Sequence, residues 1–238
     1  MSNIKRLDWV LTNFVNVSRK EAKQLIQRKK VYVNDILVTK IVNIDLEQDK
    51  IRVNDYLVGL KQNYYFVMNK PKDYVCANYD DVSKTVFELM NDFDSQIKNL
   101  HTVGRLDKDT TGLLIITNNG EFSHQLTSPK KHLNKTYKVT VDKQLSVDLV
   151  HKFAQEIILS NGEICRPSEL TILDDYNALL SINEGKYHQV KRMFASFGYK
   201  VIELDRQKIG KLDLATLDLK IGEYRELTNA ELELLKNN

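Results

Sequence analysis

The segment GRLDKDTTGLLIIT, residues 104–117, joins charged residues to an apolar run and predicts the centre of the fold. It opens with Gly104, Arg105 and Asp107, and it closes in a partly β-branched run that is typical of a buried strand. Residues 118–120, Asn-Asn-Gly, predict a turn after that strand. We therefore expect polar side chains to lie against a rigid element. Taken alone, an Asp in such a place is usually a turn residue that binds nearby backbone N–H groups.

A second strand is predicted where polar and apolar residues alternate, at residues 135–141. Tyr137, Val139 and Val141 fall on its apolar face. The ordinary role of such a tyrosine is to pack in the core while its hydroxyl finds a backbone partner. A tyrosine ring is also a surface on which a flipped or unpaired base can stack.

A helix that carries basic residues is predicted around residues 190–197. Lys191 and Arg192 follow Val190 directly, so both cannot be buried with it; we expect one to point into a site and the other to meet phosphate. Gly198 is placed to end the helix in a left-handed cap. The apolar residues that share one helical face are Val190, Met193, Phe194 and Phe197.

Length and composition limit the class of protein. The 238 residues can form one large domain, or a small and a medium domain, and 42% apolar with 28% charged residues is typical of a globular protein. Cys76 and Cys165 form neither a disulfide framework nor a zinc motif. No apolar run could cross a bilayer, and the N-terminus has no signal core. We therefore expect a cytoplasmic protein with no membrane contact.

Positive charge is concentrated at the front of the chain. The formal net charge is only +3, but residues 1–40 carry nine Lys or Arg against three acidic residues, a net charge of +6. Such a concentration favours phosphate binding by counterion release. Two short helices are predicted there, the second opened by a capping box of Ser18 and Glu21, followed by a hairpin at residues 31–38. The basic residues expected to face outward from the second helix are Arg19, Lys20, Lys23 and Arg28. An exposed helix can also be Lys-rich without binding RNA.

The central segment, Gly-Arg-Leu-Asp followed by Thr-Thr-Gly-Leu-Leu, resembles the signature of the pseudouridine synthases. The resemblance extends to Asn69-Lys-Pro, to Lys135-Thr-Tyr-Lys-Val, to the helix segment at 183–194, and to Gly-Glu-Tyr-Arg-Glu-Leu at 222–227. The front of the chain resembles the S-four-type RNA-binding module, through residues 6–8, 18–22 and 31–34. The likeness thus covers nearly the whole chain.

The resemblance implies a role for each matching residue. Asp107 would be the nucleophile, Tyr137 would pack on the uracil, and Lys191 would pair with the Asp107 carboxylate and keep it ionised. Arg105 would fill the space left by the flipped base or hold the neighbouring phosphate. The sequence leaves open whether Asp107 attacks the sugar or initiates an elimination. The residues expected to bind RNA are Arg105, Arg19, Lys20, Lys23, Arg28 and Arg192.

Three features of the sequence leave details of this interpretation open. Asp73 stands where the family usually has Gly, which leaves the geometry of that loop open. His188 is suited to acid–base chemistry, but we assign it a structural, hydrogen-bonded role, the more common fate of a lone histidine. Asp107 and Asp109 are spaced as a magnesium pair could be, yet two carboxylates supply few of the oxygens that magnesium needs. We therefore expect no metal.

The sequence predicts an α+β protein with a small N-terminal αβ RNA-binding module, residues 1–60, and a catalytic domain around a mixed, mainly antiparallel sheet, residues 64–238. Residues 61–63 would be the linker. The expected activity is isomerisation of one uridine in 16S ribosomal RNA to pseudouridine. The reaction involves no net redox change, so we expect no cofactor. The expected partner is ribosomal RNA or a small-subunit assembly intermediate, bound by a monomer. The alternatives are a 23S RNA synthase, a non-catalytic ribosome-assembly factor and, least favoured, a metal-dependent RNA-processing enzyme.

Overall fold

The computed structural model describes residues 4–15, 17–60, 63–95, 97–128 and 133–236. The chain divides into two compact units, Met1–Gln62 and Asn63–Asn238. Two of the three residues predicted as a linker, Lys61 and Gln62, lie outside the described residues. None of the helices in these ranges is long and apolar enough to cross a membrane.

The smaller unit packs two helices on short strands. Its core is a cluster of buried aliphatic side chains from both helices and from the strands, including Leu11, Ile26 and Ile51. A four-stranded antiparallel sheet has the order β3-β2-β5-β6, and β1 pairs with β4. The elements are α1 (Leu7–Phe14), α2 (Arg19–Gln27), β1 (Ile4–Arg6), β2 (Val31–Val33), β3 (Ile36–Leu37), β4 (Asn43–Asp45), β5 (Ile51–Val53) and β6 (Tyr56–Val58).

The second helix begins as its sequence predicts. The backbone N–H of Glu21 donates to Ser18 Oγ, and the Ser18 N–H donates to the Glu21 carboxylate at 2.8 Å, which completes the capping box. Its apolar side packs into the core through Ala22 and Ile26. The four predicted RNA-binding residues, Arg19, Lys20, Lys23 and Arg28, are all exposed on the outer side of the unit.

The larger unit is built around a nine-stranded sheet. Its main path is β13-β14-β10-β15-β9-β7-β17, with β8 added to β9 and β16 to β15. The strands are β7 (Tyr65–Lys70), β8 (His101–Thr102), β9 (Thr111–Thr117), β10 (Lys135–Val141), β13 (Glu169–Ile172), β14 (Asn177–Ile182), β15 (Val201–Ile209), β16 (Leu212–Asp213) and β17 (Tyr224–Glu226). Strands β11 (Ile157–Ile158) and β12 (Ile164–Cys165) form a separate hairpin.

The sheet is mixed and mainly antiparallel, as predicted. β9 and β15 run parallel, whereas the other strand pairs of the sheet in the described ranges are antiparallel. Apolar clusters cover both faces of the sheet, which is why β9 is buried along its length. The helices are α3 (Asp92–Ser95), α4 (Gly120–Thr127), α5 (Leu149–Phe153), α6 (Gln189–Ala195) and α7 (Asn229–Lys236), with 3-10 turns at Val86–Leu89 and Leu214–Thr216.

The parallel pairing of β9 with β15 depends on Gly112. Its φ is +100°, and a Cβ atom there would overlap the side chain of Asp205 and the backbone of Arg206. Glycine therefore permits the close approach of the two strands. The loop that carries Asp107 enters β9 just before this point, so the pairing brings that loop beside β15.

The turn predicted at residues 118–120 is shorter than expected. Gly120 is already the first residue of α4, because the Asn119 side chain caps the helix by accepting from the Phe122 N–H at 3.1 Å. The predictions for α6 were correct: Val190, Met193 and Phe194 are buried, and Gly198 has a φ of +76° just beyond the helix.

The C-terminal helix is attached through a carboxylate that makes stability depend on pH. Two hydrogen bonds from Arg225, at 2.8 and 2.9 Å, lower the pKa of Glu231 to about 2, against the opposing effect of its partial burial. A carboxylate with a lowered folded-state pKa stabilises the protein above its ordinary pKa, and the stabilisation is lost as pH falls toward the folded-state value. We expect Glu231→Gln to lower the free energy of unfolding by about 2 kcal/mol at pH 7. The difference from the unsubstituted protein should shrink between pH 4.5 and 2, as measured by urea unfolding.

Candidate active site

A cavity of about 530 Å³ lies in the larger unit. Its walls come from the loop between β8 and β9, from β10 and β15, and from the segment that joins β14 to α6. The segments singled out in the sequence thus meet at one place. The cavity has both apolar side chains, such as Ile182 and Leu204, and several charged ones.

Asp107 lines this cavity from the loop before β9. Its side chain is 30% exposed, so it can be reached from the cavity. Lys191 Nζ lies 3.5 Å from Asp107 Oδ2, and His188 Nε2 lies 3.4 Å from Oδ1. An ammonium and an imidazole thus lie beside the two carboxylate oxygens of Asp107.

Lys191 is shared between two carboxylates. Its Nζ is 2.5 Å from Asp109 Oδ1, closer than it is to Asp107. Partial burial opposes ionisation of Asp109, but the hydrogen bond and the charge of Lys191 lower the pKa of that carboxyl. Asp109 is 67% exposed, whereas Lys191 is only 23% exposed. Lys191 is thus held in place from the outer side by Asp109 while it adjoins Asp107.

Tyr137 lies on β10 with its side chain 8% exposed and contributes to the cavity wall. It belongs to the core cluster on that face of the sheet, as its alternating sequence predicts. Its partner on β15 is Arg206. Arg206, which the sequence analysis did not single out, is 3% exposed and lines the cavity. A charged residue inside the alternating pattern of a buried strand is the sequence signal that could have identified it.

Lys70 holds the Asp107 loop from behind, a role that sequence analysis missed. The residue is fully buried at the end of β7, and its ammonium donates to four backbone carbonyls. These are the carbonyls of Pro71 at 3.0 Å, Asp107 at 3.1 Å, Lys108 at 3.3 Å and Thr110 at 2.8 Å. Burial lowers the pKa of Lys70, and nearby acidic groups oppose that change. The available signal was a lysine at the end of a largely apolar strand, directly before a proline.

The loop after Lys70 holds Asp73 in a left-handed backbone conformation. Asp73 has a φ of +69°, a conformation that glycine adopts freely and that Asp tolerates better than most residues. Its backbone N–H donates to the carbonyl of Lys108 at 2.8 Å. The loop therefore supports the Asp107 loop through backbone contacts that do not require glycine.

His188, which we assigned a structural role, lies in the cavity wall beside Asp107. It has a left-handed backbone, with φ +46°, at the residue before α6. Its ring stacks on Tyr187 with the centroids 3.9 Å apart. The turn that opens α6 directs residue 188 toward the site, which the sequence did not indicate. The structural, hydrogen-bonded role of His188 stays a prediction.

The two predicted RNA-binding residues that lie in the larger unit, Arg105 and Arg192, differ in their surroundings. Arg105 is exposed and lines the cavity. Arg192 is 22% exposed, pairs with Glu163 at 2.7 Å and donates to the Tyr187 carbonyl at 3.1 Å. A phosphate could reach Arg192 only beside, or in place of, the Glu163 carboxylate.

The described residues give no support for a metal site. Across the described ranges, no three His, Cys, Asp or Glu side chains are grouped so that they could hold an ion. Asp107 and Asp109 are instead bridged by Lys191. Their arrangement is that of a carboxylate–ammonium cluster.

Comparisons with known proteins identify what this arrangement resembles. The model of the family described as RNA pseudouridylate synthase matches residues 64–196. Ribosomal small subunit pseudouridine synthase A of Haemophilus influenzae is 41% identical, over 97% of this chain and 99% of that protein. The enzyme of the same name from Escherichia coli strain K12 is 38% identical, over 95% and 98%. A crystal structure described as pseudouridylate synthase superimposes with a TM-score of 0.69 at 41% identity, covering 97% of this chain and 99% of that one.

Proposed function

The chain belongs to the RNA pseudouridylate synthase family, and we propose that it isomerises a specific uridine in 16S ribosomal RNA to pseudouridine. In this reaction the bond from the sugar to ring nitrogen 1 breaks, and a bond from the sugar to ring carbon 5 forms. The full-length relatives named for the ribosomal small subunit support 16S RNA over 23S RNA. We further propose that the protein acts as a cytoplasmic monomer, on 16S RNA or on a small-subunit assembly intermediate.

The observation that carries the catalytic proposal is the pair formed by Asp107 and Lys191 at the wall of the cavity, 3.5 Å apart. Either proposed route, attack on the sugar or elimination, begins with an ionised carboxylate. Lys191 favours that form, and Asp109 fixes Lys191. Asp107 therefore serves as the nucleophile or base.

Tyr137 supplies the surface against which the target uracil stacks. The base must leave its helix before it can reach Asp107, at a cost of about a few kcal/mol. Stacking on an aromatic ring offsets part of that cost, because it replaces the neighbours that the base has lost. Arg105, exposed at the same cavity, holds the flanking phosphate or fills the vacated position.

The experiment that tests this function is tritium release from carbon-5-labelled uridine, measured separately in 16S and 23S RNA. Only formation of the new bond at carbon 5 releases that hydrogen. Release from 16S RNA alone is the expected result. Release from 23S RNA alone would replace the proposed substrate, and tight binding with no release from either RNA would favour a non-catalytic assembly factor.

We also propose that residues 1–60 are an S-four-type RNA-binding module. Its support is the exposed basic side of α2, which carries Arg19, Lys20, Lys23 and Arg28. Among the described residues, none of these four forms an ion pair with a carboxylate, so each is available to a phosphate. Double-stranded RNA is bound mainly through its shape and phosphates, which suits a rigid basic helix.

Removing three of these charges gives a direct test of the module. We expect the triple variant Arg19→Ala, Lys20→Ala, Lys23→Ala to weaken RNA binding by about tenfold or more, since each lost phosphate contact also removes a released counterion. The slope of log affinity against log salt should fall by up to about three. The measurement is RNA affinity across a salt series.

Gln27→Ala is the matched control for this triple variant, because Gln27 is exposed on the same helix but uncharged. Its affinity and salt slope should equal those of the unsubstituted protein. An unchanged salt slope in the triple variant would show that α2 does not contact phosphate.

A further inference from the structure

Arg206 is a buried cation for which the fold provides no anionic partner among the described residues. Its side chain is 3% exposed, and its Nε donates to the Leu113 carbonyl at 2.8 Å. Its Nη2 is buried with no hydrogen-bond partner. A buried, unpaired charge is costly, by several kcal/mol in typical cases. Such a group is more often retained for function than for stability.

Lys135 is a second cation in the same cavity. It precedes Tyr137 by two positions on β10, so the two side chains point to the same face of the strand. Lys135 and Arg206 lie on the paired strands β10 and β15, and both line the same cavity. Burial lowers the pKa of Lys135, and the charge of Arg206 lowers it further. No ion pair joins Lys135 to a carboxylate in the part of the chain that the structure describes.

The position of Tyr137 indicates what these cations would face. Tyr137 and Arg206 are directly paired on β10 and β15, and neighbours across a sheet lie about 5 Å apart. A uracil ring stacked on Tyr137 would therefore bring its polar edge to Arg206 and Lys135. The apolar side chains of Ile182, Leu204 and Ile209 also line the cavity.

The proposed isomerisation creates an anion at this point. When the bond between sugar carbon 1′ and ring nitrogen 1 breaks, its electron pair stays with the ring, and the negative charge spreads over nitrogen 1 and the ring carbonyl oxygens. The same anion forms whether Asp107 attacks carbon 1′ or removes a sugar proton. It is consumed when ring carbon 5 bonds to carbon 1′, which displaces Asp107 from the sugar or, in the elimination route, is accompanied by return of the sugar proton. The carbon 5 proton is then released, and ring nitrogen 1 gains a proton.

We propose that Arg206 and Lys135 form a cationic pair that stabilises the detached uracil as an anion while it turns between the two bonds. The pair acts on the leaving group, whereas Lys191 acts on Asp107. Fixed donors aimed at charge that develops in the transition state are among the largest contributions to catalysis. A phosphodiester at the protein surface is a poorer match for this pair, because Arg206 is too deeply buried for the phosphate to reach. The inference rests on the proposed function.

The test measures single-turnover rate and RNA affinity for Lys135→Gln and Arg206→Gln. We expect each to lower the rate at saturating RNA by about 10²-fold, the usual effect of removing one such donor, with RNA affinity changed less than about twofold. Lys135→Arg and Arg206→Lys should recover part of the rate. Lys138→Gln is the matched control, because Lys138 is an exposed lysine on the same strand that lies outside the cavity.

A better leaving group distinguishes this role from a structural one. We would repeat the rates on RNA whose target uridine is replaced by 6-azauridine, since 6-azauracil carries a negative charge more readily than uracil. With this RNA, the fold-loss of rate in Lys135→Gln and Arg206→Gln should be about tenfold smaller than with uridine, because the 6-azauracil anion requires less stabilisation. A merely structural defect would reduce both rates equally and would overturn the proposal.

An unchanged rate in Lys135→Gln would also overturn the proposed role of the cationic pair. Weaker RNA binding at an unchanged rate would overturn it as well. Should Arg206→Gln unfold, Lys135→Gln decides, because Lys135 makes no hydrogen bond that supports β9. Failure of the proposed function can be distinguished from failure of this inference, because the unsubstituted protein would then form no pseudouridine in 16S or 23S RNA.

Discussion

Asp107→Asn is expected to abolish pseudouridine formation while leaving RNA binding within about twofold. The substitution keeps the shape of the side chain but removes the charge that the mechanism requires. Loss of a nucleophile or of its essential base lowers turnover by about 10⁴-fold or more in well-studied enzymes. RNA affinity depends chiefly on the basic residues, which the variant retains. Tritium release and RNA affinity, measured on the same preparation, check both expectations.

Asp109→Asn is the control for Asp107→Asn. Asp109 lies two residues away and also contacts Lys191, but it is 67% exposed and does not line the cavity. Its loss should free Lys191 to approach Asp107, with a change in turnover below about tenfold, as expected for an exposed ion pair. An inactive Asp109→Asn protein together with an active Asp107→Asn protein would show that Asp107 is not the nucleophile.

The main features of the fold could be predicted because the pattern of polar and apolar residues in each element agrees with its burial in the folded protein. The apolar run of β9 is buried on both faces, and the alternation of β10 matches its burial residue by residue. The capping box of α2 needs only residues 18–21, so its hydrogen bonds were predictable from four letters. Such features are set by near neighbours in sequence.

The features that were missed depend on contacts between distant segments. Lys70 donates to carbonyls of residues 107, 108 and 110, nearly forty positions away, and nothing next to Lys70 in the sequence announces them. Arg206 reaches the cavity because Gly112 permits the parallel pairing of β9 and β15. His188 enters the site through a left-handed residue before α6. Pattern and propensity carry little information about these arrangements.

The position of Asp107 depends on the contact that sequence analysis missed. The Lys70 ammonium binds three carbonyls of the Asp107 loop and one of its own turn, so a single side chain fixes the backbone that carries the carboxylate. Backbone carbonyls that lose their donor in a buried place cost about 1–3 kcal/mol each. Catalytic geometry is also sensitive, since a shift of about 1 Å can lower a rate about 10²-fold. Lys70 therefore contributes to both stability and turnover.

Lys70→Met is accordingly expected to lower the free energy of unfolding by at least about 3 kcal/mol and turnover by about 10²-fold or more, since methionine fills the space but cannot donate. Urea unfolding and tritium release provide the two measurements. Lys72→Met is the matched control: Lys72 is half exposed, its ion pair with Glu203 spans 3.6 Å, and its removal should cost less than about 1 kcal/mol. A stable Lys70→Met protein with ordinary turnover would mean that the Asp107 loop keeps its shape without the buried ammonium. A stable protein with low turnover would instead place the effect of Lys70 in the positioning of Asp107 alone.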